Sequence, residues 1–147
     1  MKGSMLAVLV CCLGGAAASG VQKVSVSMFE MGFKPVDLQV KAGVPVEITL
    51  TNSGKADHEF QAYTPPKTEP KAWDAYLEKN TLWFSADNVS LTIDGKAVHE
   101  HKFIEVALHP GQKAVLKFTP KVKGTFEMGC HEPGHYESGM KGKFKVN

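Results

Sequence analysis

The chain has 147 residues, of which 43% are hydrophobic and 22% are charged, and its formal net charge is +2 at pH 7. All basic residues are lysines, and they are scattered, so the composition gives no sign of a nucleic-acid surface or of an acidic or basic tail. The length is that of one domain with a hydrophobic core of its own.

The first 18 residues predict a secretory signal peptide. Lys2 provides a positive start, an apolar stretch follows, and small residues end at Ala18. The A-x-A pattern predicts cleavage after Ala18, a mature domain over residues 19–147 and a periplasmic location. The apolar stretch is shorter than the roughly 20 residues that a membrane-spanning helix needs. Lipid attachment at Cys11 or Cys12 is the alternative, although neither follows the small residue that such processing requires.

From Val21 onward, hydrophobic and polar residues mostly alternate with a period of two, which is typical of half-buried β-strands. Glycine, proline and asparagine separate these runs, as expected of turns. Many short strands at regular spacing predict an all-β fold, an antiparallel Greek-key β-sandwich or barrel. The predicted strands are VQKVSVSMF, VDLQVKAG, VPVEITLTN, VSLTIDGK, FIEVAL, KAVLKFT, GTFEM and GKFKV.

One segment, around residues 68–80, breaks this alternation and predicts a short helical insertion. Trp73 and Leu77 have helical spacing, Thr68 is placed as the N-cap, and Pro70 lies in the first turn. We expect this helix to pack on the sandwich through Trp73 and Leu77 and to serve mainly as a cover for the sheet.

The stretch CHEPGHYESGM gathers soft donor atoms near the end of the chain. Cys130, His135 and Met140 have the spacing C-x4-H-x4-M, and the glycines between them permit the turns that would bring them together. Thiolate, imidazole and thioether groups are typical of a copper site with two histidines, one cysteine and a weak axial methionine. Once the leader is removed, Cys130 is the only thiol, and it is either a metal ligand or a buried small hydrophobe.

Such a site needs a second histidine from elsewhere in the chain. His58 is the candidate, because it closely follows a predicted strand and precedes Phe60. The alternative for His58 alone is an ordinary histidine in a surface loop.

These motifs resemble those of the cupredoxin family, the type 1 (blue) copper proteins of the plastocyanin and azurin kind. FKPVDLQVKAG, NSGKADHEF, HPGQKAVLKFTP, GTFEMGCHEPGH and GMKGKFKV follow one another in family order over the whole mature chain. The resemblance implies one type 1 copper, with His58, Cys130 and His135 as strong ligands and Met140 as the axial ligand. Glu59 stands where this family often has an asparagine that braces the ligand loop.

A second cluster is formed by His99 and His101. On a strand their side chains would share one face, which suits a divalent metal with nitrogen ligands. A solvated strand end is the alternative. His131, directly after Cys130, adds a further imidazole beside the first site.

The predicted function is that of a one-electron carrier, because four ligands leave no open position for a substrate. We therefore expect that the protein is not an enzyme. Its partner would be a redox protein such as a cytochrome or an oxidase. One alternative is a periplasmic copper-binding protein for resistance or delivery, in contact with copper-handling proteins. It would use the extra donors His99, His101, His131, Met28 and Met31. A second is a copper enzyme, with an open site in place of the bond to Met140.

Overall fold

The computed structural model describes residues 20–100 and 102–147, so the predicted signal peptide (1–18) and His101 lie outside the described residues. Within those ranges the secondary structure consists mostly of β-strands, with one α-helix, α1 (Trp73–Asn80), and one 3-10 helix (Leu82–Ser85). The strands are β1 (Gln22–Phe29), β2 (Gly32–Lys34), β3 (Asp37–Val40), β4 (Val46–Asn52), β5 (His58–Tyr63), β6 (Asp87–Ile93), β7 (Lys96–Ala97), β8 (Val106–Leu108), β9 (Lys113–Thr119), β10 (Gly124–Gly129) and β11 (Lys141–Val146).

The strands form two sheets, and the predicted all-β sandwich is confirmed. One sheet has six strands in the order β2-β1-β4-β9-β6-β7, and the other has five in the order β3-β11-β10-β5-β8. Most neighbouring strands are antiparallel, but β1 with β4 and β3 with β11 are parallel. The chain leaves the first sheet after β2, adds β3 to the second sheet, and returns to the first sheet with β4. Because no hairpin connects β1 to β4 or β3 to β11, these neighbours can run parallel. Hydrophobic alternation does not encode the direction of a partner strand, so the sequence could not show this.

The hydrophobic core lies between the two sheets and is built from alternating positions of the strands. Along β4, Val46, Ile48 and Leu50 are buried, and on the neighbouring β9 Leu116 pairs with Ile48 and is buried as well. Each such side chain contributes about 1.5–3 kcal/mol relative to an exposed one. This packed core provides a firm base for the loops at the ends of the strands.

Strand β5 was not predicted, because its residues do not alternate. Five of its six residues are buried, and only Glu59 is partly exposed. Tyr63 explains this, since its ring lies 5.7 Å from that of Trp73 and 6.4 Å from that of Tyr76 on α1. A strand covered on both faces has no polar side to show a period of two.

Helix α1 confirms the predicted insertion, but the predicted start at Thr68 is wrong. The N-cap residue is Ala72, which makes no side-chain cap hydrogen bond. Pro70 disfavours helical geometry in the residue before it, so the helix begins only beyond this proline. Leu77 is buried against the sandwich as expected.

Among the described residues, no helix has the length and apolar character needed to cross a membrane.

Candidate metal centre

The centre lies at one end of the five-stranded sheet, where β5 begins and β10 ends. These strands are antiparallel neighbours, with Gly129 opposite Gln61. In this register His58, the first residue of β5, comes close to Cys130, which directly follows β10. Strand pairing therefore brings together two residues that are far apart in the sequence.

The loop between β10 and β11 returns His135 and Met140 to Cys130. The backbone N–H of Met140 donates to the carbonyl oxygen of His135 at 3.0 Å, and that of Cys130 donates to the carbonyl oxygen of Met140 at 3.2 Å. Gly134 and Gly139 have φ angles of 81° and 99°, which glycine adopts more readily than other residues. The turns expected at these glycines are present.

Three of the four expected residues come into direct proximity through their side chains. The donor atoms of His58, Cys130 and His135 lie within 4.8 Å of one another. The sulfur of Cys130 is 3.4 Å from Nδ1 of His135, and the two imidazole centroids are 5.0 Å apart. His58, Cys130 and Met140 are completely buried, whereas His135 is partly exposed. The cluster therefore meets solvent at His135.

The imidazole of His58 lacks partners for both of its nitrogens. Nδ1 and Nε2 are buried, and neither has a hydrogen-bond partner among the described residues. An unsatisfied buried polar atom costs about 1–3 kcal/mol, so it needs an explanation. Burial, together with the neighbouring His135, lowers the pKa of His58, which favours the neutral imidazole that a metal requires. A metal bound to one nitrogen would satisfy that atom.

The sulfur of Cys130 lies close to a backbone donor. The N–H of Glu59 donates to this sulfur at 3.3 Å. Burial raises the pKa of the Cys130 thiol to about 11, so the metal-free thiol is protonated at neutral pH. A metal that binds as expected of thiolate ligands would displace this proton.

The donor set fits copper. Two imidazoles and one thiolate gather here, and the backbone of Met140 is hydrogen-bonded to Cys130 and His135. Two histidines, one cysteine and a weakly bound methionine are the ligands of type 1 copper sites. Hard cations such as Ca²⁺ and Mg²⁺ prefer oxygen ligands and do not suit this cluster. His58 and Cys130 are completely buried, so solvent reaches the cluster from the side of His135.

Asn52 braces the loop that leads into His58, a role that sequence analysis missed. Its Nδ2 donates to the carbonyl oxygens of Ala56 and Leu108, each at 2.8 Å, and its Oδ1 accepts the N–H of Gly54 at 2.9 Å. Asn52 is completely buried at the end of β4. The signal was present in the stretch TNSG, because an asparagine shortly before a glycine often forms a turn with its own side chain.

Glu59 accepts hydrogen bonds that hold the residue directly after Cys130. One of its carboxylate oxygens accepts the N–H of His131 at 3.2 Å and a side-chain N–H of Gln61 at 3.1 Å. Burial, followed by the nearby Glu105, raises the pKa of Glu59 to about 7. Glu59 therefore links β5 to the residue after Cys130, although the resemblance suggested an asparagine for bracing.

His131 belongs to an aromatic cluster, which we define as Tyr63, Trp73, His131 and Tyr136. Its ring stacks on Trp73 with centroids 3.8 Å apart and on Tyr136 with centroids 4.6 Å apart. Its Nε2 is 3.0 Å from the hydroxyl of Tyr63. Glu127 accepts hydrogen bonds from the hydroxyls of both tyrosines, at 2.8 and 2.7 Å. Trp73 thus contacts the metal-site loop, beyond the covering role expected from the sequence.

The expected second cluster is only partly described. His99 is exposed after β7, and His101 lies outside the described residues.

Elsewhere, His109 occupies the turn between β8 and β9, where its Nδ1 is 2.9 Å from a carboxylate oxygen of Asp57.

Comparisons with known proteins agree with this architecture. A family described as "Cupredoxin-like domain" matches residues 3–81. The copper-resistant cuproprotein CopI of Pseudomonas aeruginosa is 30% identical, over 88% of this chain and 78% of that protein. The protein of the same name from Rubrivivax gelatinosus is 32% identical, over 90% of this chain and 70% of that protein. Among solved structures, auracyanin A, a "blue" copper protein from Chloroflexus aurantiacus, has a similar fold with a TM-score of 0.60, at 20% identity over 87% of this chain and 100% of that one.

Proposed function

The chain belongs to the cupredoxin-like family, and we propose that it is an exported mononuclear type 1 copper protein that carries single electrons. The observation that carries the proposal is the cluster of His58, Cys130 and His135, whose donor atoms lie within 4.8 Å of one another. These three residues would hold the copper as strong ligands, and Met140 would be a weaker fourth ligand. Bound copper supplies the one-electron change between Cu(I) and Cu(II).

The task of the protein is to hold the ligands in nearly one arrangement for both oxidation states. Cu(I) favours soft sites with few ligands and Cu(II) favours tetragonal ones, so a trigonal site with a weak axial donor suits both. Asn52 fixes the loop before His58 through two hydrogen bonds and joins it to Leu108 of β8 through a third, and Glu59 holds the residue after Cys130. Since these braces limit movement, an electron can enter or leave with little rearrangement.

Electron exchange with a partner protein would occur at the His135 face, defined as His135 with Pro133 and Gly134. Pro133 and Gly134 are exposed and His135 is partly exposed, whereas His58 and Cys130 are buried. A cytochrome or an oxidase docked on this face would approach the metal through the ring of His135. The leader predicted over residues 1–18 supports export to the periplasm.

A closed site supports a carrier over an enzyme. Met140 is completely buried, and its backbone is hydrogen-bonded to His135 on one side and to Cys130 on the other. The buried Met140 is available as a fourth donor in the proposed site, whereas substrate chemistry at a metal needs an open position.

Copper resistance is the second candidate function, because the two copper-resistant cuproproteins are 30% and 32% identical to this chain. In this role the protein would store or deliver copper, and a second copper site would help. His131 is a poor candidate for that site, because its ring is stacked in the aromatic cluster and its Nε2 faces Tyr63. His99 and His101 therefore distinguish the two functions.

A copper titration of the mature protein tests both candidates. Metal-free protein receives Cu(II) stepwise while visible absorption and electron paramagnetic resonance are recorded, for the parent and for the double variant His99→Ala, His101→Ala. We expect one tightly bound equivalent with an intense thiolate-to-copper band, and the same result in the double variant.

The two unfavourable outcomes have different meanings. A parent protein that binds copper without a thiolate band would contradict the type 1 site. A second Cu(II) signal without sulfur character, present in the parent and lost in the double variant, would move the function to copper resistance.

A further inference from the structure

Glu30 lies beside His58, although sequence analysis assigned it no role. It occupies the turn between β1 and β2, and its side chain is about half exposed. One carboxylate oxygen, Oε1, accepts the backbone N–H groups of Lys55 and Ala56, the latter at 3.0 Å. Glu30 is thereby anchored to the loop that leads into His58.

The same carboxylate oxygen faces the buried imidazole. Oε1 of Glu30 is 3.9 Å from Nε2 of His58, one of the two ring nitrogens without a hydrogen-bond partner. Gly54 lies beside both groups, since a Cβ added to it would be 2.7 Å from Oε1 and 2.8 Å from Nε2. Glycine at this position keeps the space between the carboxylate and the imidazole free of a side chain.

A metal-binding histidine commonly donates its second N–H to a carboxylate, which fixes the orientation of the ring and makes it a stronger ligand. Nε2 faces Glu30 and Gly54, so Nδ1 is the nitrogen left for the metal. A short movement of the half-exposed Glu30 side chain would close the 3.9 Å separation to a hydrogen bond. The negative charge would also favour the more highly charged copper ion.

We propose that Glu30 is a positioning residue of the metal centre, which holds His58 with Nδ1 toward copper and favours Cu(II) over Cu(I). This inference rests on the copper site proposed above. Glu30 is not itself a ligand, and it comes from a different part of the chain from all four proposed ligands.

The test compares Glu30→Gln with Glu30→Ala in the copper-loaded mature protein. Glutamine keeps an oxygen that can accept the N–H groups of Lys55 and Ala56 but removes the charge, whereas alanine removes both. We expect Glu30→Gln to keep the thiolate-to-copper band and to lose about tenfold in Cu(II) affinity relative to Cu(I). This corresponds to a rise of about 59 mV in reduction potential for a one-electron couple.

Glu47→Gln is the matched control. Glu47 pairs with Lys117 at 3.1 Å and Lys23 at 3.9 Å near the start of β4, whereas the metal centre lies beyond the end of β4. This variant removes one carboxylate far from His58, so its potential should equal that of the parent.

The possible failures are distinct. If Glu30→Gln has the potential of the parent while Glu30→Ala differs, Glu30 is only a structural brace and the inference is overturned. If both variants match the parent in potential and in the Cu(II)-to-Cu(I) affinity ratio, the inference is overturned as well, although the copper site stands. A parent without the thiolate band would overturn the proposed function itself, and this inference with it.

Discussion

The ring of Trp73 stacks on the ring of His131, with centroids 3.8 Å apart and 29° between the planes. Trp73 is the first residue of α1, and His131 directly follows Cys130. The contact therefore joins the helical insertion to the loop of the metal centre. Tyr136 packs on the same imidazole with a centroid distance of 4.6 Å, which further fixes this part of the loop.

Replacing Trp73 should loosen the aromatic cluster. Aromatic pairs contribute about 0.5–1.5 kcal/mol each beyond the area that they bury, and Trp73 contacts both His131 and Tyr136. We expect Trp73→Leu to lower the free energy of unfolding by about 1–3 kcal/mol, and Trp73→Phe to lower it less because a ring remains. Denaturant unfolding of the metal-free protein measures both values. Equal stability of Trp73→Leu and the parent would show that the stack contributes nothing.

Cys130→Ser should abolish the intense visible band of the Cu(II) protein. The hydroxyl is a poor donor for copper, and the change in volume at this completely buried position is small. The sandwich should therefore remain folded, which circular dichroism can verify. Survival of the band in the serine variant would rule out Cys130 as the thiolate ligand.

Met140→Leu should leave copper bound but raise the reduction potential. Leucine keeps a similar volume and removes the thioether, a weak donor that favours Cu(II) in the proposed site. Met128→Leu is the matched control, because Met128 is also completely buried but lies on β10. Voltammetry should show a shift for Met140→Leu alone. Identical potentials in the two variants would mean that Met140 is not a ligand, and loss of copper would make it a principal one.

A charge on the His135 face should slow electron exchange with a redox partner. Pro133→Glu places a carboxylate on this exposed loop without replacing a proposed ligand. Pro45→Glu serves as the control, since Pro45 is exposed just before β4 and the metal centre lies beyond the other end of that strand. Stopped-flow exchange rates, compared at matched potential, should fall for Pro133→Glu only. A slower rate in both variants would point to a general charge effect.

The ion pair of His109 and Asp57 predicts a local dependence on pH. The hydrogen bond and the charge of Asp57 raise the pKa of His109. Because the folded value lies above the unfolded one, the pair stabilises the fold fully below about pH 6.5 and loses this effect as the pH rises through the raised pKa. Both side chains are exposed, so the stability effect is small, and the pKa is the better quantity to measure.

In an NMR titration of the His109 ring, Asp57→Asn should bring the pKa back toward about 6.5. Asp37→Asn removes an exposed carboxylate on β3 and should leave the pKa of His109 unchanged. A His109 pKa that is the same in the parent and in Asp57→Asn would show that the pair does not form in solution.

The sequence by itself determined the sandwich and the chemistry of the loop. Hydrophobic alternation is a local property of strands such as β4 and β9, and it shows which of their side chains enter the core. The spacing of Cys130, His135 and Met140 is local as well, because two glycine turns within one loop suffice to bring these residues together. Donor types, and hence the kind of metal, follow from side-chain chemistry alone.

Only the tertiary structure decided what surrounds those donors. His58 reaches Cys130 because β5 pairs with β10, and β5 itself carried no alternation by which to recognise it. Glu30 approaches His58 across a turn, and Trp73 reaches His131 from α1. Each of these contacts joins segments that are distant along the chain. The order of the strands and the packing of α1 on the sandwich determine which segments meet. Hydrophobic patterns record whether a side chain is buried, but they do not record which distant residue it meets.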